Sequence, residues 1–168
     1  IKFGGHPMAA GMSLDAQNVD RLREFLNSHD GLDEETLTEK ITIDAEVPFS
    51  YFTPKIVGEL EKLEPTGNGN TKPVFAARAV EVRRLAFMGS EKQHVRMTLY
   101  DGTAEMTGVM WHTADEITGF LTERFGEDAL SKAMMGKPGG IKLDIMFSPD
   151  INVWKDSVSV QLHIKDYR

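Results

Sequence analysis

The sequence predicts an α+β protein, with a mixed, acidic first third and a β-rich remainder. Amphipathic helical segments are predicted before residue 65, and after residue 73 the apolar residues alternate as they do in β-strands. Three such strands precede a helical segment and two follow it. This is the chain order of a five-stranded OB-type β-barrel with inserted helices, although a small meander sheet with a packed helix would give a similar pattern.

The composition limits the class of protein. A hydrophobic fraction of 40% and a charged fraction of 27% over 168 residues are typical of a soluble globular chain. There is no cysteine, which excludes disulfides, thiolate catalysis and cysteine-ligated zinc and agrees with a cytoplasmic location. Neither a secretory signal nor a membrane span is visible. The chain begins at Ile1, without an initiator methionine, so we expect a piece of a longer protein.

The net charge of -7 argues at first against nucleic acid as a partner. The excess is local, because residues 1–64 hold 13 acidic and 6 basic side chains, whereas residues 65–168 hold 13 of each. A basic stripe is therefore compatible with the second part. Its members between residues 78 and 96 are Arg78, Arg83, Arg84, Lys92 and Arg96.

The first part has recognisable helix and strand signals. Residues 12–31 predict a short strand and then a helix, with Asp15 as the N-cap and Gly31 after its end. Residues 39–47 alternate as a strand. One apolar stripe of the helix comprises Val19, Leu22, Phe25 and Leu26.

A second helix is predicted before residue 65. Thr53 can cap it, Pro54 suits its first turn and Pro65 ends it. Residues 65–73, rich in Gly, Asn and Pro, then have the composition of a loop or hinge. The side chains expected to face inward from this helix are Ile56, Val57, Leu60 and Leu63.

The β-rich part begins with a long strand over 73–89, with an expected bulge at Arg83–Arg84 where the alternation slips. Asp101-Gly102 is a strong hairpin turn signal, and residues 113–136 predict one or two helices. Trp111 and Phe147 lie in apolar strand contexts and are predicted in the core. The remaining predicted strands are 94–100, 103–112, 140–147 and 156–166.

The stretch "FGGHPMAAGM" (residues 3–12) has two interpretations. Adjacent glycines permit positive φ and close approach of a ligand, so successive amides of Gly4 and Gly5 can converge on an anion beside His6. The alternative is a tight turn with a histidine satisfied by local packing.

Three stretches resemble the DHH phosphoesterase superfamily. "GGHPMAAGMSL" (4–14) is similar to the end of a DHHA1 domain, whose signature is GGGH. "LEPTGNGNTKPVF" (63–75) is similar to the linker that joins this domain to an OB domain in RecJ-type single-stranded-DNA exonucleases, and "VSVQLHIKDYR" (158–168) to the end of that OB domain. The chain departs from the family at Phe3, where the family has glycine, and at Thr66, where it has an aromatic residue.

The resemblance implies a domain organisation. Residues 1–40 would be the C-terminal end of DHHA1, a small α/β remnant; residues 41–72 a connector; and residues 73–168 the OB domain. It also implies that Gly4, Gly5 and His6 hold a substrate phosphate. Cleavage in the parent enzyme would belong to a DHH domain holding Mn²⁺ or Mg²⁺. This chain has no DHH triplet and its histidines are dispersed, so we expect it to hold no metal and to be inactive alone.

OB barrels bind single strands on the face of strands 2 and 3 and through the loops 1–2 and 4–5. Cationic side chains follow the DNA backbone there, and flat side chains stack on bases. The alternative is that the cations form a solvated face and Trp154 closes the barrel end. The candidates are Arg84, Lys92, His94, Arg96, Tyr100, Asn152, Trp154 and Lys155.

The predicted function is the C-terminal DNA-binding portion of a RecJ-like 5′–3′ single-stranded-DNA exonuclease acting in DNA recombination and repair. An alternative is a non-catalytic OB adaptor for a protein partner, such as a single-strand-binding protein. A nanoRNase or cyclic-dinucleotide phosphodiesterase of the same superfamily is a second alternative. Those enzymes usually end near the GGH element, so the OB half argues against it.

Overall fold

The computed structural model describes residues 2–6, 9–29, 31–38 and 40–168, with the side chains of residues 34 and 35 also outside the description. The chain divides into two compact units, Ile1–Ile41 and Thr42–Arg168. The division into domains at residues 40 and 72 stays a prediction.

The first unit consists of a β-hairpin followed by helices. Antiparallel strands β1 (Lys2–His6) and β2 (Ala9–Ser13) precede α1 (Val19–His29) and the short α2 (Glu34–Leu37). The predicted strand and helix are thus present, but a 3₁₀ turn separates Asp15 from α1, and the Asp15 side chain makes no capping hydrogen bond. Along the apolar stripe of α1, Val19, Phe25 and Leu26 are exposed.

The second unit contains six strands and three α-helices. In chain order its elements are β3 (Ala45–Glu46), α3 (Pro54–Leu60), β4 (Phe75–Met88), β5 (His94–Tyr100), β6 (Glu105–Met110), α4 (Ala114–Phe125), α5 (Glu127–Met134), β7 (Lys142–Trp154) and β8 (Ser157–Tyr167).

The strand pairings return to the strand where they begin. β4 pairs with β5, β5 with β6, β6 in parallel with β8, β8 with β7, and β7 again with β4. A closed five-stranded barrel with two helices between its third and fourth strands is the OB arrangement. The predicted fold class is therefore confirmed, and the short β3 adds only a parallel edge to β4.

The long strand β4 turns a corner of the barrel. It pairs first with β7 and then with β5, and its register shifts twice, between Ala77 and Val80 and between Val82 and Arg84. The second shift is the predicted bulge. At the first, Ala79 has a positive φ of 51°, and its N–H donates to Asp144 Oδ1 at 2.9 Å. Irregularities of this kind increase twist and let one strand serve two neighbours.

An aromatic cluster fills one end of the barrel core. Phe147 is fully buried, as predicted, and its ring makes edge contacts with Phe49 at 5.8 Å and Phe52 at 5.4 Å between centroids. Phe75 lies on the paired strand β4 and packs edge-on against Phe52 at 4.9 Å. The segment before α3 is thereby attached to the barrel through aromatic burial.

Three local predictions are corrected. The strand expected over 39–47 is present only as Ala45–Glu46, because these two residues alone reach the ladder of β4; Glu39 lies outside the described residues. Leu63 is exposed, since a 3₁₀ turn at Glu61–Leu63 ends the helical face of α3. Residues 148–154 are strand, and the 4–5 connection is only the turn at Lys155 and Asp156.

The predicted loop over 65–73 is held by its own hydrogen bonds. Gly67 and Asn70 form an isolated bridge, and Asn70 Nδ2 donates to the carbonyl of Leu63 at 2.8 Å and of Pro65 at 3.0 Å. The segment is a closed turn between α3 and β4.

Replacing Asp101 with alanine is expected to lower the free energy of unfolding by about 2–3 kcal/mol. The reason is that its carboxylate accepts hydrogen bonds from two separate segments, the one before α3 and the β5–β6 turn. Asp101 Oδ2 accepts from the N–H of Phe49 at 2.6 Å. Oδ1 accepts from the N–H and hydroxyl of Thr103, each at 2.8 Å, and from the N–H of Ala104 at 3.1 Å. Urea unfolding at pH 7 measures the loss.

The same carboxylate gives a pH dependence. Partial burial raises the pKa of Asp101, but the hydrogen bonds from Phe49, Thr103 and Ala104 outweigh it and hold the pKa below its ordinary value of 3.8. The stabilisation is therefore present above that value and is lost as pH falls through the lower folded pKa. The Asp101→Ala variant should lack this part of the acid destabilisation; a wild-type acid profile in the variant would contradict the assignment.

Candidate nucleic-acid interface

The outer face of the barrel carries a mostly polar row of side chains, interrupted by the buried Val109. On β5 the buried residues Val95, Met97 and Leu99 alternate with outward ones, as predicted. Cross-strand partners share one face of a sheet. The partners of the outward β5 residues on β6, and the partners of those on β8, therefore also point outward. We use "outer face" for Arg96, Thr98, Thr107, Val109, Gln161 and His163.

Three of the predicted cations are exposed beside this face. Arg84 lies opposite Thr98 in the β4–β5 register, Arg96 is on the face itself, and Lys92 is in the β4–β5 turn. None of the three forms an ion pair with any residue in the described ranges. Their charge is therefore available to a phosphate backbone.

The neighbouring Arg83 is neutralised. Its guanidinium contacts Glu81 at 3.3 Å and Glu105 at 3.2 Å, and it lies 3.7 Å from the ring centroid of Tyr100. The Tyr100 hydroxyl donates to the carbonyl of Gly102 at 3.0 Å. One face of this predicted stacking residue is thus already covered, which makes Tyr100 a weaker platform than the sequence indicates.

Trp111 corrects the core prediction, because 51% of its surface is exposed. It follows β6 in the same alternation as Thr107 and Val109, and its ring lies 4.9 Å from that of His94 and 6.4 Å from that of His163. The signal that could have found it is this alternation, which places Met106 and Met110 on one side and Trp111 on the other.

The predicted candidate His94 is held in position by the residue after Trp111. His94 Nδ1 accepts from the backbone N–H of His112 at 3.0 Å, and the two imidazoles meet edge to face at 4.4 Å. A neutral imidazole that accepts at Nδ1 carries its proton on Nε2, so His94 presents an Nε2–H donor.

His163, on β8, was not among the predicted site residues. Burial lowers the pKa of its imidazole, opposed by the Asp150 carboxylate at 3.8 Å and assisted by the positive charges of Lys72 and Lys165. Lys72 Nζ also contacts Asp150 at 3.1 Å. His163 is therefore a neutral ring at physiological pH.

The remaining predicted residues lie on the β7–β8 hairpin. Asn152 pairs with Ser159 and Trp154 with Ser157, on the same side of this ribbon as Gln161. Trp154 is 70% exposed, and Lys155 has a positive φ of 53° in the turn. Hydrogen-bonded strand, rather than a loop, thus carries Asn152 and Trp154 out from the barrel.

The glycine pair of the first unit lies in a strand. Gly4 pairs with Gly11, Gly5 with Ala10, and neither glycine has positive φ. A Cβ on Gly5 would meet the carbonyl oxygen of Ala9 at 2.7 Å, so close packing against β2 accounts for this glycine. Strand amides alternate in direction and do not converge on one anion. Pro7 and Met8 lie outside the described residues, and the phosphate role of Gly4, Gly5 and His6 stays a prediction.

The donor set for a divalent metal is not assembled in the described residues. Among them, no three histidine or acidic side chains cluster closely enough to hold an ion. The described residues therefore do not supply the ligands of the metal centre that the family resemblance implies for the parent enzyme. The described helices also include none with the length and apolar character needed to cross a bilayer.

These features define an OB-fold domain with three exposed cations on or beside its outer face and two exposed tryptophans. The model of the RecJ OB domain family matches residues 43–166, and the chain belongs to this family. The resemblance to the OB region of RecJ-type enzymes is thereby confirmed.

Two curated relatives are named single-stranded-DNA-specific exonuclease RecJ. The protein from Bacillus subtilis is 28% identical over 166 residues, which is 98% of this chain and 19% of the relative. The protein from Haemophilus influenzae is 31% identical over 101 residues, 59% of this chain and 17% of the relative. The chain thus spans about a fifth of the length of the relatives it matches.

The fold is also that of a solved RecJ. The crystal structure of Thermus thermophilus RecJ in complex with Mg²⁺ matches with a TM-score of 0.67 at 22% identity, over all of this chain and 23% of the other. A second structure of that protein, with Mn²⁺, matches with a TM-score of 0.65. The agreement supports the barrel assignment.

Proposed function

We propose that this chain is the DNA-binding C-terminal portion of a RecJ-like 5′–3′ single-stranded-DNA exonuclease that acts in recombination and repair. Its OB domain binds single-stranded DNA along the outer face. Hydrolysis belongs to a DHH domain outside this chain, with Mn²⁺ or Mg²⁺ as its metal, and this chain alone is inactive.

The observation that carries the proposal is the set of three exposed cations, Arg84, Lys92 and Arg96, for which the described part of the chain supplies no ion-pair partner. The same unit also exposes its two tryptophans, Trp111 and Trp154. Arg83, which is adjacent to Arg84 on β4, is by contrast neutralised by two carboxylates. Cations that follow a backbone and flat rings that stack on bases are the two requirements of single-strand binding. The net charge of -7 does not oppose this, because the acidity is concentrated in the first 64 residues.

The first unit has its own proposed role. Gly4, Gly5 and His6 hold a substrate phosphate in the complete enzyme, as the family resemblance implies. Because the strand amides do not converge, the contact depends on the His6 side chain and on close approach to the glycine backbone.

The full chain should bind oligothymidylate more tightly than a duplex of equal length, because bases in a duplex cannot reach the stacking residues. With about three phosphate contacts, raising the salt from 50 to 200 mM should weaken single-strand binding about 20-fold. Fluorescence anisotropy of labelled oligonucleotides at the two salt concentrations measures both effects. Equal affinity for single strand and duplex would contradict the proposal.

A second candidate function is a protein adaptor, for example for a single-strand-binding protein. The observation that favours it is the exposed apolar tip of the β7–β8 hairpin, formed by Val153, Trp154 and Val158. Loss of partner binding in Val153→Ser/Val158→Ser, with no detectable DNA binding by the wild type, would support the adaptor over the first function.

A further inference from the structure

Trp111 is a large exposed side chain of the second unit, which the sequence analysis placed in the core. It lies where β6 ends, beside β5 and β8, and its neighbours on those strands are imidazoles. Half of the Trp111 surface is exposed, so part of the indole ring can still be covered by a ligand. Burial of such a large aromatic ring contributes favourably to binding.

The Trp111 ring is held from two sides. His94 meets it at an interplanar angle of 75° and His163 at 51°, so neither imidazole is stacked parallel on the indole. The imidazole of His94 is itself fixed by the N–H of His112 at 3.0 Å. A ring held in this way loses little conformational entropy when a flat ligand stacks on it.

A cation lies on the same strand as His94. Arg96 is two residues from His94 on the same face of β5, a separation of about 7 Å along a strand. Its cross-strand partner on β6 is Val109, which is buried. The local arrangement thus combines a flat apolar ring, the Nε2–H donor of His94 and a guanidinium that has no ion-pair partner among the residues the structure describes.

We propose that Trp111 is the stacking platform for one unpaired nucleobase, with His94 and Arg96 contacting the adjoining phosphate. This subsite rests on the proposed single-strand function and specifies where a base is held. It is separate from the hairpin tip, because the six residue steps along β8 from Ser157 to His163 span about 20 Å. Trp111 and Trp154 are two platforms for different nucleotides of one strand.

The test compares Trp111→Ala with wild type on oligothymidylate and on an abasic deoxyribose-phosphate strand of the same length. Stacking predicts a 5- to 150-fold loss of oligothymidylate affinity, as expected for about 1–3 kcal/mol per base. The affinity for the abasic strand should not change, because no base is present to stack. The conservative Trp111→Phe should bind oligothymidylate within about threefold of wild type, since a phenyl ring still stacks.

Fluorescence provides a second measurement without removing the side chain. The chain has two tryptophans, so Trp154→Phe leaves Trp111 as the only indole. Saturating oligothymidylate should quench its emission, and the abasic strand should quench it much less.

The outcomes separate the two proposals. Wild-type affinity in Trp111→Ala, or unchanged emission of Trp154→Phe at saturation, overturns the Trp111 subsite and leaves the proposed function standing. An equal loss on both strands also overturns it, because it shows a structural effect. If the wild type binds neither oligothymidylate nor the abasic strand, both proposals are overturned.

Discussion

Replacing Phe147 with alanine is expected to lower the free energy of unfolding by about 3–5 kcal/mol, the range for deleting a large buried ring. Phe147 is fully buried, and its register partner on β4 is Phe75. Its ring also packs against the rings of Phe49 and Phe52. The cavity cannot close easily, because β7 is fixed by β4 on one side and β8 on the other. Urea unfolding followed by circular dichroism measures the loss.

Two variants serve as controls for Phe147→Ala. Phe147→Leu keeps most of the volume and should cost clearly less than the alanine variant. Tyr51→Ala removes an aromatic ring that is half exposed, and should change stability much less. A loss below about 1 kcal/mol in Phe147→Ala would show that the cluster is not the centre of the core.

The barrel strands could be predicted because each has one buried face. In β5, Val95, Met97 and Leu99 are buried while the residues between them are not, and this alternation is visible without any tertiary information. The bulge in β4 could be predicted for the same reason, since an extra residue shifts the alternation.

The β7–β8 hairpin could not be predicted to its full length. Pro149 and Asp150 indicate a break, but β7 has already left β4 after Phe147 and pairs only with β8 beyond it. A proline is tolerated there because its missing N–H faces an open edge. The length of the hairpin depends on where β7 stops pairing with β4, and the local sequence does not show this point.

The charge state of the candidate site depends on the same kind of information. Arg83 and Arg84 are adjacent and chemically identical, yet the bulge between Val82 and Arg84 gives them different neighbours. Arg83 contacts Glu81 and Glu105, and Arg84 keeps its charge unpaired within the described residues. The sequence selected Arg84, but only the register shows why it is available.

The triple variant Arg84→Ala/Lys92→Ala/Arg96→Ala is expected to bind oligothymidylate about 100-fold more weakly than wild type at 0.1 M salt. Each phosphate contact to a single strand contributes about 0.7 to the slope of log affinity against log salt, so three contacts contribute about 2. The variant should therefore lose this part of the salt dependence as well as affinity. Anisotropy titrations between 50 and 400 mM salt measure both quantities.

The matched control changes the net charge by the same amount at cations that already have partners. Lys62, Arg78 and Lys132 contact Glu59, Glu46 and Asp128, respectively. Since their charge is locally compensated, their replacement by alanine should leave the salt slope near that of wild type. If both triple variants lost affinity equally, the effect would be one of overall charge. If only the first lost it, the outer face is the path of the phosphate backbone.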